Sequence, residues 1–197
     1  MVLDEQVRRT WDRVVERFAS ENEPLIRTAS SVEPADIRAA WTACLATVFE
    51  LLAAHYGSEA IEQRFEVPED YAAFMQAIGG GWHGPHGLEW SVFDAATVAE
   101  ATASDFNSFV LGAEEDEPVL DSGFWLGIGR YSDKHWYLLC CDRAHGYFGT
   151  VLDGHDSHQW LNGVEFGGCW RMAGSFLAWL EMHAKPAAPG TSPGTDG

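Results

Sequence analysis

Apolar residues recur along the first part of the chain with helical spacing. Val7, Trp11, Val14, Val15 and Phe18 form one stripe, on a helix that Asp4 is placed to cap. The polar stretch from Glu21 to Glu33, with Pro24 and a Ser pair, reads as a connector. Pro34 suits the first position of a second helix, which Ile37, Trp41, Cys44, Leu45, Val48, Phe49 and Leu52 carry to Tyr56 before Gly57 ends it. In the segment VPEDYAAFMQAIGGGW, residues 67–82, Pro68 stands at N1 and Glu69 and Asp70 fill a first turn where the helix dipole favours anions. Tyr71, Phe74, Met75 and Ile78 share a face there, and Gly79 stops the helix.

Farther on, the spacing changes to that of strands. Leu88–Phe93 alternates as a short strand, and Asp94–Thr102 reads as a short helix capped by Asp94. FWLGIG (124–129), HWYLLCC (135–141) and YFGTVLD (147–153) are three strands separated by short polar turns, which favours antiparallel pairing. The middle one is nearly all apolar, as a strand buried on both faces is. A last helix runs from about Met172 to His183, with Phe176, Leu177 and Leu180 facing inward, and a Pro-, Gly-, Ser- and Thr-rich tail follows. The predicted class is α+β: a central antiparallel sheet (mixed as the alternative) of about four to six strands, flanked by N-terminal helices and a C-terminal helix. The predicted organisation is an N-terminal helical extension over 1–61, an α+β domain over 62–184 and a disordered tail over 185–197.

Charge narrows the partners. The 197 residues hold 12 Lys and Arg against 30 Asp and Glu, a formal charge of -18. Such a field repels nucleic acid and anionic membranes and speeds encounter with a basic partner. No continuous apolar run reaches the roughly 18 residues of a membrane span. The start, MVLDEQVRRT, is not a signal peptide, so a cytoplasmic location is expected. The four cysteines, Cys44, Cys140, Cys141 and Cys169, form no C-x-x-C pair and read as buried thiols.

Four short motifs, in order, carry a resemblance. The first is Val67, Pro68, Tyr71, Phe74, Ile78, Gly79 and Gly80. The second is Phe124, Trp125, Leu126, Ile128 and Gly129, followed by Trp136, Tyr137 and Leu138. The third is Gly149, Val151, Asp153, His155 and Asp156, and the last is Ser175, Phe176, Trp179 and Leu180. Together they resemble the SUKH superfamily, the Smi/Knr-like family, over roughly residues 62–184. Arg130 departs from the pattern, standing where the family often has a second Gly. The resemblance implies an α+β fold without shared catalytic machinery. Bacterial members resemble immunity proteins that neutralise toxins, and eukaryotic relatives act as regulatory hubs. On that basis the chain is expected to be a non-enzymatic protein-binding module, monomeric or weakly dimeric, without metal or cofactor. Its partner is expected to be a toxin domain with a basic surface. A regulatory or scaffold role is the alternative.

The candidate contact residues are Trp82, the acidic run Glu114, Glu115, Asp116 and Glu117, and the turn residues Asp153, His155 and Asp156. The turn 153–158 also holds Ser157 and His158, a set able to ligate a divalent ion or to suggest a hydrolase. It lacks the supporting H-E-x-x-H and G-x-S-x-G patterns, and turns collect Asp, Gly, Ser and His in any case. Gly79-Gly80-Gly81 follows a helix rather than a strand, so helix termination explains it better than a phosphate loop. Of the nine Trp, Trp11, Trp41, Trp136 and Trp179 lie on apolar stripes, whereas Trp82, Trp90 and Trp160 flank loops as candidate exposed anchors.

Overall fold

Among the described residues, seven strands pair in sequence order, β1 to β7, into one antiparallel sheet, and six helices pack around it. The computed structural model describes residues 3–28, 33–85, 90–105, 124–131, 135–155 and 170–186. The elements are α1 (Leu3–Ser20), β1 (Ile26–Arg27), α2 (Pro34–Tyr56), α3 (Ser58–Arg64), α4 (Glu69–Ala77), β2 (Trp82–His83) and β3 (Ser91–Val92). Then come α5 (Ala95–Asp105), β4 (Trp125–Arg130), β5 (His135–Cys140), β6 (Val151–His155), β7 (Trp170–Ala173) and α6 (Phe176–His183). The α+β class with an antiparallel sheet is as the sequence predicts. The strand number is higher because β1, β2 and β3 are two-residue pieces, too short to leave an alternating pattern.

The local signals hold where they rest on backbone stops. Gly57 takes φ +86° and its N–H returns to Ala53 O, ending α2. Gly79 takes φ +73° and donates to Phe74 O, closing α4. Asp94 Oδ1 accepts the Thr97 N–H at 2.8 Å and caps α5.

Other boundaries are corrected. Asp4 lies inside the first turn of α1, not at its cap. Pro68 is the N-cap of α4, one residue before the predicted N1, with extended ψ 135°. The connector after α1 contains β1, and α3 follows Gly57 directly. Tyr147–Thr150 is a turn and not strand, with Gly149 at φ +77°. Met172 belongs to β7, and α6 begins only after Ser175, whose Oγ accepts the Ala178 N–H at 3.1 Å.

Helices cover both faces of the sheet, which is why β4 is buried along almost its whole length. On one face Tyr137 of β5 packs against Trp179 and His183 of α6. On the other, Phe93, just before α5, packs against Trp136. α5 is tied to β4 by the buried Thr102 hydroxyl, which accepts the Gly127 N–H at 3.2 Å. α1 packs on α4 and α6, and α2 on α3, α4 and α5. The core is aromatic: Trp90 stacks between Trp11 and Trp179, with centroids 6.2 and 5.8 Å away, and Tyr71 and Phe74 meet Phe176. Each such fully buried large side chain contributes roughly 1.5–3 kcal/mol.

Over Pro34–Ala54 the mean hydropathy is 1.4, so α2 is long and apolar enough to meet the measure for a membrane span, as core helices of water-soluble proteins also do. It places Trp41, Cys44, Val48 and Leu52 in the core.

Candidate functional site

The register brings three polar residues of β2, β3 and β4 into one row across the sheet. Ile26 pairs with His83, His83 with Ser91, Ser91 with Arg130, and Arg130 with Trp136, so these five side chains share a face. Between this row and the start of α5 opens a cleft of ≈ 200 Å³, walled by Trp82, Phe93, Asp94, Thr97, Ser91 and Arg130. Gly81 lines it, and the preceding turn lies close against Phe93: a Cβ on Gly80 would sit 1.8 Å from Phe93 O. A Cβ on Gly129 would likewise lie 2.2 Å from Ser91 O. These glycines serve packing and turn geometry.

The donors at the cleft are unevenly engaged. His83 Nδ1 donates to Gly84 O at 2.7 Å, and Thr28 Oγ1 donates to Gly81 O at 3.2 Å. Ser91 Oγ reaches Arg130 O only at 3.5 Å. Arg130 Nε is buried and has no hydrogen-bond partner among the described residues. Behind Trp82, Arg27 donates to Ile78 O at 3.0 Å and lies over the Trp82 ring, 5.3 Å from its centroid. Burial lowers the Arg27 pKa from its ordinary value.

Trp82, one of the predicted contact residues, is half-buried against Trp11, with Nε1 donating to Gly79 O at 3.1 Å. Trp90, the companion loop tryptophan, is corrected from a candidate exposed anchor to a core residue only 3% exposed. Its Nε1 donates to His183 Nε2 at 3.3 Å, which requires a neutral imidazole. Burial, with Arg17 adding to it, holds His183 at a pKa of about 3.

Asp153 and His155 lie on β6, and Asp153 accepts from His135 Nδ1 at 3.1 Å across the β5–β6 pair. Asp156, Ser157, His158, Trp160, Cys169 and the run Glu114, Glu115, Asp116 and Glu117 lie outside the described residues. Among the described residues no group of three or more His, Cys, Asp or Glu side chains is placed to hold a metal ion. Burial pushes the Cys44 and Cys140 thiols up to about 11, and raises Cys141 further.

A second polar cluster was not visible in the sequence. Asp142 is fully buried; its carboxylate pairs with Arg64 of α3 and accepts the Ala144 N–H at 3.0 Å. Arg64 in turn lies over the Phe124 ring, 5.0 Å from its centroid. This ties the turn after β5 to α3 and offers no open face to a ligand. The only local signal was an Asp immediately after an apolar strand. No protein-family model, curated protein or solved structure matches the chain.

Proposed function

We propose that the chain is an acidic protein-binding module, and that it acts as an immunity protein neutralising a cognate toxin by direct contact. The observation that carries this reading is where the negative charge stands. Asp4, Glu5, Asp12, Glu16, Asp36, Glu50, Glu59, Glu62, Glu69, Glu100 and Glu181 are all exposed, spread over six helices. Among the described residues Glu5, Glu21 and Glu66 pair with nearby arginines, Asp153 with His135, and Asp142 is paired inside. The excess of acid in the composition is therefore directed outward, where it raises the encounter rate with a basic surface. The order of the SUKH-like motifs supports the same reading. The tied-up thiols and the shallow described clefts offer a partner surface more readily than a reaction chamber.

The test is to sequence the genes flanking this one and to co-express the chain with any toxin domain they encode. Restored growth, together with co-purification that weakens between low and high salt, is the expected result. Unrelieved toxicity and no complex at low salt would sink the reading.

A further inference from the structure

We propose that the cleft at the start of α5 is a binding site for a small carboxylate, with the Arg130 guanidinium as its anchor. Four described arginines are half-buried, and three of them are engaged. Arg17 bonds Glu21, Arg27 bonds a carbonyl, and Arg64 bonds Asp142. The Arg130 side chain alone makes no hydrogen bond or ion pair among the described residues, and its Nε, like that of Arg27, is buried without an acceptor. A half-buried guanidinium whose buried N–H lacks an acceptor is costly, and its side chain has room for one in the cleft. A carboxylate matches the planar guanidinium fork with two parallel bonds.

The surroundings fit that ligand. Ser91 Oγ, held by only a 3.5 Å contact, sits on the neighbouring strand directly opposite Arg130 and is free to turn its hydroxyl inward. Thr97 lines the same cleft, and Phe93, which packs against Trp136 of the same row, supplies an apolar wall for a short carbon chain. The ≈ 200 Å³ space is several times the roughly 30 Å³ share of one water and suits a small organic acid. Asp94 at the rim, already fixed by its cap to Thr97, disfavours dianions and so selects a monocarboxylate over phosphate. The carboxylate is that of a free organic acid or of the end of a peptide chain.

The experiment is an NMR titration of the full chain at constant ionic strength. The probes are sodium propionate, N-acetylalanylalanine, its C-terminal amide, and inorganic phosphate. Saturable shifts at the Arg130 Nε–Hε, Ser91 and Thr97 signals are expected with the two carboxylates, and the tighter of the two names the source. The Arg130→Gln variant raises the dissociation constant at least tenfold, Arg130→Lys raises it less, and the exposed Arg171→Gln leaves it unchanged. If Arg130→Gln fails to fold, the wild-type Nε–Hε response and Ser91→Ala decide. The proposal is overturned by an absence of saturable shifts in the wild type, by equal binding of the amide, by tighter binding of phosphate, or by an unchanged constant in the folded variants.

Discussion

The Asp70 carboxylate, in the first turn of α4, accepts the backbone N–H of Leu177 in the first turn of α6 at 2.8 Å. Its other oxygen takes the Tyr71 N–H at 2.9 Å. One helix's acidic start thus closes the open start of another, beside the Ser175 hydroxyl that takes the Ala178 N–H. Two of the orphan donors of α6 are satisfied, one from within the helix segment and one from more than 100 residues earlier. Replacing Asp70 with Ala removes a charged acceptor from a half-buried N–H and is expected to cost about 2 kcal/mol. Ser175→Ala is expected to cost about 1 kcal/mol. Urea midpoints at constant slope measure both, and equal, negligible losses would contradict the arrangement.

His183 makes stability depend on acid. Its folded pKa of about 3 lies below the ordinary 6.5, so between those values the unfolded chain binds more protons than the folded one. Its contribution is fully present above about 6.5 and is lost as pH falls toward 3. His183→Gln keeps an acceptor for Trp90 without the titration. The variant should therefore lose less stability than the wild type between pH 7 and pH 4, read from urea melts at each pH. Parallel pH profiles would reject this role.

Two glycines separate close packing from backbone conformation. Gly80→Ala drives a methyl into Phe93 O and is expected to cost about 3 kcal/mol or to prevent folding. Gly57→Ala meets no atom within 4 Å but keeps φ +86°, so it is expected to cost only about 1 kcal/mol. Thermal melts rank the two, and the reverse order would be inconsistent with the close approach of the 79–81 turn to Phe93.

The thiols of Cys44, Cys140 and Cys141 are buried and hard to ionise. They are expected to react with a thiol-specific disulfide reagent at pH 8 only after unfolding, at least a hundredfold faster in urea than in the native protein. Peptide mapping of the modified sites assigns each rate. Fast native labelling at Cys140 would show that β5 opens more readily than its burial implies.

The elements with strong local signals were legible. Trp11 and its stripe, the Gly57 and Gly79 stops and the Asp94 cap could be read because each depends on neighbours within a turn. The two-residue strands were not, since Ile26–Arg27, Trp82–His83 and Ser91–Val92 are strands only through pairing with their neighbours in the sheet. Nor was the site: Trp82 was singled out, but His83, Ser91 and Arg130 were not. Arg130 was noted only as a departure from the SUKH-like pattern. Nothing in the spacing of 83, 91 and 130 marks them as neighbours, because their adjacency comes from β-pair register.

By itself the chain determined every described helix but α3, its aromatic core stock and its strong negative charge, since these follow from local periodicity and composition. Tertiary structure alone decided that Trp90 is sandwiched in the core and that Asp70 caps a helix more than 100 residues away. It alone decided too that the Arg130 guanidinium faces a cleft without a partner among the described residues. The physical reason is that contacts between distant segments depend on which strands pair, in what register, and which helices cover each face. These choices are settled by the burial of the whole apolar surface together and leave no trace in the pattern of any one segment.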